Sequence, residues 1–167
     1  KGREIVIREK AYATAIAPAA VALDNGKTLP ADFIFLALGV TPSPIFTDSE
    51  IATGPDGGLR VNRYLQSDQH PDIFGGGDCI YFQDQPLDKV GVYAVRQNPV
   101  LYHNLVARLE GGQLMPFDPG GDYLLIFNLG SGVGVLKKRR LEFGGRLAFL
   151  IKDYIDRKFM REFQAIE

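Results

Sequence analysis

The sequence predicts a mixed α and β fold that closes on a β-hairpin followed by an amphipathic helix. Three observations carry this. Short alternating apolar segments near the start are separated by tight-turn signals, a strand-and-turn pattern. In the middle, VGVYAVRQNPVLYHNLVARLEGG repeats apolar residues at helical spacing and stops at Gly111-Gly112. At the end, GGRLAFLIKDYIDRKFMREF places Leu147, Leu150, Ile151, Tyr154, Ile155, Phe159 and Phe163 on one helical face.

The elements follow in chain order. REIVIRE (3–9) and AVALD (20–24) alternate as strands, and Asp24-Asn25-Gly26-Lys27 is a tight-turn signal, so the opening is a small antiparallel meander. FIFLALG (33–39) is apolar on both faces and predicts a strand buried on both sides. Pro42 and Pro44 remove backbone donors and hold an extended crossover, which sets a boundary near Ile45. Short strands are expected at GLRVN (58–62) and DIFGGGD (72–78). The helix that follows, with Val92, Val95, Leu101, Leu105 and Leu109 as its apolar positions, contains Pro99. Either it kinks there, or a new helix begins with Asn98 as cap and Pro99 at its first position. After Pro116 and Pro119, YLLIFNLG and GVGVLKKRRLEF predict two strands joined around Gly130–Gly132.

Composition narrows the classes of function. The 167 residues carry 19 Lys and Arg against 20 Asp and Glu, a formal net charge of −1. That balance excludes binding to nucleic acid mainly through phosphate neutralisation and favours a small-molecule or protein partner. A 46% hydrophobic content is that of a folded protein. One cysteine, Cys79, and two histidines, His70 and His103, are too few for a disulfide or a Cys-rich zinc site, so no metal is expected and a reducing cytoplasmic setting fits. No apolar stretch is long enough to span a bilayer. The chain opens on Lys1 like a piece cut from something longer.

The most informative stretch is HPDIFGGGDC (70–79). An apolar strand tip running into three glycines and an acid is the pattern used where ligands meet the carboxyl end of a strand in a doubly wound sheet. Gly75–Gly77 let the backbone approach a bulky ligand, and Asp78 can accept from sugar or ribitol hydroxyls. The alternative is a plain glycine turn with a solvated acid. Cys79 is expected as a small packed residue, His70 and His103 as structural, and Lys137–Arg140 as a solvated strand end. Gly130, Gly132 and Gly134 do not make a G-x-G-x-x-G fingerprint, because Val135 stands where the third glycine belongs, and a hairpin turn is the expected use.

The ordered set ADFIFLALGVTPSP, GLRVN, HPDIFGGGDC and GVYAVRQNPVLYHNL resembles the C-terminal half of α/β flavoproteins with two dinucleotide-binding domains. It is most similar to the type II NADH dehydrogenase-like branch of the pyridine nucleotide-disulfide oxidoreductases, especially members associated with selenide, water dikinase. These share a tail like YLLIFNLGSG…GGRLAFLIKDYIDRKFM. The resemblance implies that 1–45 ends an NAD(P)H-binding domain, 46–115 is the C-terminal half of an FAD-binding domain, and 116–167 is a C-terminal hairpin-helix domain. It also implies that Gly77 and Asp78 hold FAD, that the backbone near Tyr93 and Ala94 faces the flavin pyrimidine edge, and that Gln97 lines the acceptor side. Arg96 departs from the glutamine pair that lines the quinone pocket of type II enzymes.

The function so implied is that of a C-terminal part of an FAD-dependent NAD(P)H oxidoreductase. Electrons pass from nicotinamide through flavin to a quinone or another small acceptor, in a cytoplasmic protein or one peripheral at the inner membrane face. FAD and NAD(P)H belong to the longer parent, and the fragment alone is expected to hold neither. The rival is a non-catalytic module whose last helix makes a homodimer or docks on a membrane or a selenium-handling enzyme.

Overall fold

The structure, a computed structural model, describes residues 5–164. It divides into two compact units, 1–39 and 40–167.

The first unit is a three-stranded antiparallel meander: Ala13–Ala17 (β1), Ala20–Leu23 (β2) and Thr28–Pro30 (β3). The turn between β2 and β3 is the one expected. Gly26 takes φ 77°, the Asn25 side chain accepts from the Lys27 N–H, and Asp24 accepts from the Tyr12 N–H. The first strand differs from expectation. Of REIVIRE, residues 3 and 4 lie outside the described part, and 5–8 form no strand, with Ile5, Val6 and Ile7 exposed. Ala13–Ala17 takes the free edge of β2 instead, because Pro18-Ala19 closes that hairpin over two residues and a short loop is the cheaper closure. FIFLALG is not a buried strand either. Phe35 is 92% exposed and Leu38 76%. A strand apolar on both faces needs a neighbour on each edge and a layer on each side. No strand among the described residues pairs with it.

The second unit opens with one helical turn at Ile45–Asp48 (α1), started by Pro44. Leu59–Val61 (β4) pairs in parallel with Ile80–Phe82 (β5), Leu59 opposite Ile80 and Val61 opposite Phe82. The first of these strands lies where GLRVN predicts it. The second lies downstream of its expected place at 72–78, where Phe74 forms only an isolated bridge to Gln66 and Gly77–Cys79 is a 3-10 turn. Three consecutive glycines hold a strand poorly, whereas Ile80-Tyr81-Phe82 is β-branched and aromatic. Leu59, Val61, Leu65, Ile80, Phe82 and Phe117 form the core, with Phe82 and Phe117 edge to face at 5.4 Å.

Gly91–Glu110 (α2) is one continuous helix through Pro99, which settles the alternative left by the sequence. Gly111 ends it at φ 74°, a left-handed C-terminal residue. Its fully buried positions are Gln97, Asn104 and Ala107; of the expected apolar set Leu101 packs against the core and Val92 is half-buried, whereas Val95, Leu105 and Leu109 are exposed.

The C-terminal part holds Leu125–Gly130 (β6), Val133–Lys138 (β7), Leu141–Gly145 (β8) and the helix Arg146–Gln164 (α3). The predicted turn at 130–132 is present, with Gly130, Ser131 and Gly132 all at positive φ. A second turn at Arg139, φ 53°, breaks GVGVLKKRRLEF in two and converts the expected hairpin into a three-stranded meander. α3 covers one face of this sheet through the fully buried Ala148, close over β7. A Cβ on Gly134 would lie 3.0 Å from the Phe149 nitrogen.

Candidate functional site

The glycine loop, the start of α2 and the middle of α2 meet in one place. Gly77 stands at φ 71°, a left-handed conformation that strains any residue with a Cβ, and that turn aims its N–H at α2. The Gln97 side-chain oxygen accepts this N–H at 2.5 Å. Gln97 is only 2% exposed, so an unanswered amide there would be costly, and the bond satisfies its oxygen. With one lone pair of Oε1 taken by Gly77, the amide keeps the two N–H donors of Nε2 and a second lone pair on the oxygen. A Cβ built on Gly77 would lie 3.5 Å from the Ala94 methyl, and one on Gly76 would lie 3.2 Å from Leu101.

An open groove of about 380 Å³ runs along this junction, lined by Gly76, Gly77, Ala94, Gln97, Leu101 and, from α3, Phe159. Its walls are largely apolar, and its polar features are the loop backbone and the amides of Gln97 and Asn98. On the other side of Gly77 a small cleft of about 40 Å³ holds Asp78, half-buried, together with Tyr93. The structure therefore brings Gly77, Asp78, Tyr93, Ala94 and Gln97 to one junction.

The N-terminus of α2 borders this cleft. Val90 precedes the helix in an extended conformation and gives it no side-chain cap. The Tyr93 N–H turns back to the Val90 carbonyl at 3.0 Å, so the leading donors without an intrahelical partner are those of Gly91 and Val92. The Tyr93 ring packs edge to face on Tyr123 at 5.7 Å. The Tyr123 hydroxyl donates to Asp88 at 3.0 Å, and that bond holds the phenol above its ordinary value of 10.0.

Arg96, beside Gln97 in sequence, turns away from the groove. Its guanidinium donates to the carbonyls of Pro119 and Gly121 and lies 5.8 Å from the centre of the Tyr93 ring. It fastens the loop ahead of β6 to α2. Cys79 is half-buried, with its thiol 3.1 Å from the Gly76 carbonyl, and packs against the core cluster. His103 is exposed and bonds through Nε2 to the Gln113 carbonyl.

Sequence reasoning missed Asn104. Fully buried on α2, it donates to the carbonyls of Tyr64 and Met115 and accepts the Met115 N–H at 2.7 Å. The signal was its spacing of seven residues from Gln97, two helical turns along the same face. A second set of positions legible only in the fold is Asp56 with Lys89, paired at 2.9 Å beside the small cleft. Burial pushes the Asp56 carboxyl up, but hydrogen bonds from Lys89 and the Gly58 N–H outweigh it and hold the group below its ordinary 3.8.

Comparison with known proteins gives this geometry a context. The chain is 28% identical over 129 residues to the demethylphylloquinone reductase NdbB of Synechocystis sp., covering 74% of this chain and 31% of that protein. It is 28% identical over 112 residues to an NADH oxidase of Enterococcus faecalis, covering 65% of this chain and 25% of that one. Among solved structures, a ferredoxin reductase from Rhodopseudomonas palustris superposes with a TM-score of 0.54 at 26% identity, covering 75% of this chain and 31% of its own. A NAD-dependent persulfide reductase from A. fulgidus shares the fold, with a TM-score of 0.55 at 21% identity, covering 75% of this chain and 24% of its own. The chain thus spans about a third or less of the length of these relatives. Residues 2–107, which include the glycine loop and nearly all of α2, match the family described as pyridine nucleotide-disulphide oxidoreductase, and the chain belongs to that family.

Proposed function

We propose that this chain is the C-terminal part of an FAD-dependent NAD(P)H oxidoreductase that delivers electrons to a quinone or another small acceptor. The observation that carries the reading is the junction of the Gly76-Gly77 loop with α2 at Ala94 and the buried Gln97 along one apolar groove, with the uncapped start of α2 at the small cleft on the other side of Gly77. The residues present suit a flavin: glycine backbone that a large planar group can approach, an apolar wall on one side of Gly77, and a helix N-terminus bordering the cleft on its other side. When bound, FAD supplies the redox chemistry, taking a hydride from nicotinamide and passing electrons onward.

The chain's own residues bind and orient. Asp78 accepts from ribityl hydroxyls. The leading N–H groups of α2 at Gly91 and Val92, together with the helix dipole, favour negative charge beside them. Ala94 sits beneath Gly77 and keeps the loop close to the helix. Gln97 holds the Gly77 N–H through Oε1 and offers Nε2 to a carbonyl in the groove, which is the group a quinone presents. The relative named as a demethylphylloquinone reductase supports a quinone as acceptor. The tail from Tyr123 onward supports the narrower kinship with the selenide, water dikinase-associated branch, and the domain limits 1–45, 46–115 and 116–167 belong to the same proposal.

The test is made in the longer protein that contains this chain. Gln97→Glu keeps an oxygen for Gly77 but removes the donor, so flavin content should hold while turnover with quinones falls. Asp78→Ala should lower flavin occupancy. Unchanged kinetics of the Gln97 variant with every quinone and soluble acceptor tried would overturn the acceptor assignment. One observation favours the second reading, a docking module: the outer face of α3 is exposed and apolar in part.

A further inference from the structure

Two positive charges that the fold leaves without an acid meet at one place. Arg96 is half-buried on α2, yet its described partners are the carbonyls of Pro119 and Gly121 and the Tyr93 ring, with no carboxylate among them. Both carbonyls take Nη1. The Nε and Nη2 N–H groups remain, and they point in parallel as the fork that grips a carboxylate through two bonds. Lys138, at the end of β7, has no ion pair or hydrogen bond among the described residues, whereas its neighbours Lys137 and Arg139 are paired with Glu142 and Asp122. Arg96 and Lys138 both line a groove of about 370 Å³ between α2 and the C-terminal sheet and helix. Val92 of α2, Leu124 and Ile126 on and just ahead of β6, and Ile155 of α3 form its apolar wall. Three other charged groups border it, and each already has its counter-charge: Lys152 pairs with Asp156 at 2.7 Å, and Asp122 with Arg139 at 2.6 Å. At about 100° per residue, Val92 and Arg96 lie on a side of α2 turned away from Ala94, Gln97 and Leu101, so this groove is separate from the one at the glycine loop.

We propose that this groove binds a small organic carboxylate with an apolar body, its charge answered by Arg96 and Lys138 and its hydrocarbon part laid on Val92, Ile126 and Ile155. Charge and lining together select this class. A neutral molecule would use the apolar wall and leave the guanidinium fork empty. A bare inorganic anion would use the fork and leave the wall wet. The carboxylates of Asp122 and Asp156 at the rim disfavour a doubly charged ligand such as a phosphate monoester. One carboxylate on a body the size of a phenylalkyl group satisfies both halves of the groove, in the manner of pockets that fix an apolar ligand with a few placed polar groups. Binding here is independent of the redox reading, since no flavin enters the test.

The experiment is titration of the isotope-labelled 167-residue chain with phenylbutyrate, followed through the amide chemical shifts. Saturable binding with a dissociation constant of about 1 mM is expected, the scale for a ligand of about a dozen non-hydrogen atoms. The shifts should centre on Arg96, Tyr123 and Ile155 and spare Gly77 and Leu101. Phenylbutyramide keeps the body and loses the charge, and acetate keeps the charge and loses the body; each should bind about tenfold more weakly or worse. Lys138→Glu should weaken phenylbutyrate about tenfold. Arg140→Glu, the same change of charge outside the groove, should leave binding unchanged. Both positions are exposed and neither side chain has a described partner, so folding is preserved, and far-ultraviolet circular dichroism checks this. No saturable shift by about 20 mM, an amide or acetate that binds as well as phenylbutyrate, or shifts centred on Gly77 and Leu101 would each overturn the proposal. So would a Lys138 variant that binds like the parent, or an Arg140 variant weakened as much as the Lys138 one.

Discussion

Two side chains of α2, Gln97 and Asn104, hold more of the second unit than their chemistry suggests at first sight. Asn104 makes three hydrogen bonds to backbone groups of two other segments, so Asn104→Leu, nearly equal in size, leaves those groups unanswered in the interior. The expected loss is about 3 kcal/mol, read from the urea midpoint. Asp56 makes a different prediction. Its folded carboxyl lies below 3.8, so the stability it contributes is complete above that value and is lost as pH falls through the folded one. Asp56→Asn should therefore flatten part of the fall in stability below about pH 4, measured by thermal unfolding across an acid series. Both effects rest on partners distant in sequence, Asn104 on Tyr64 and Asp56 on Lys89. The site residues read from the glycine run lie together at the junction because their neighbours are mostly local, Gly77 beside Asp78 and Tyr93 beside Ala94. Arg96 was legible only as a departure from the glutamine pair, because the carbonyls it binds, those of Pro119 and Gly121, lie in a loop more than twenty residues on.

At the scale of elements, the legible parts are those whose signal is a turn. Asn25-Gly26 and the glycines at 130 and 132 fall where turns are found. The helices were legible as helices, but the buried face of α2 only in part: of the apolar positions Val92, Val95, Leu101, Leu105 and Leu109, Leu101 packs on the core and Val92 is half-buried, while the fully buried places go to Gln97, Asn104 and Ala107. A periodicity argument identifies the helix but cannot choose the buried stripe when polar residues bond across it. Pro99 gives the matching prediction. It is exposed inside a continuous helix and deprives the Val95 carbonyl of its N–H partner. Pro99→Ala should raise stability by about 2 kcal/mol, and a kinked helix that loses stability on this change would contradict the account.

At the scale of the whole molecule, the exposed apolar run from Phe33 to Leu38 sets the behaviour in solution. It was expected as a buried strand, and the residues are apolar enough for one; what it lacks is a set of pairing strands among the described residues. An apolar run with unpaired backbone groups is a template for association. The chain should scatter light at lower concentration than a Phe35→Ser, Leu38→Ser variant, and equal onset for both would refute this. The chain alone should also hold no FAD and oxidise no NADH. Its sequence has no G-x-G-x-x-G to grip a pyrophosphate, and the groups at the junction reach only a ribityl chain and a ring. A yellow preparation with one flavin per chain would place the cofactor site elsewhere.

The hydrogen bonds of Gln97 and Asn104 are made to main-chain atoms: the N–H of Gly77, the carbonyl of Tyr64, and both groups of Met115. Such a clasp is blind to the side chains it holds. Tyr64 and Met115 are therefore free to change without loosening these bonds, while Gln97 and Asn104 are not, and neither are the core residues Leu65 and Phe117 that share the same loops. A library of single substitutions scored for folding should show tolerance at Tyr64 and Met115 and intolerance at Gln97 and Asn104.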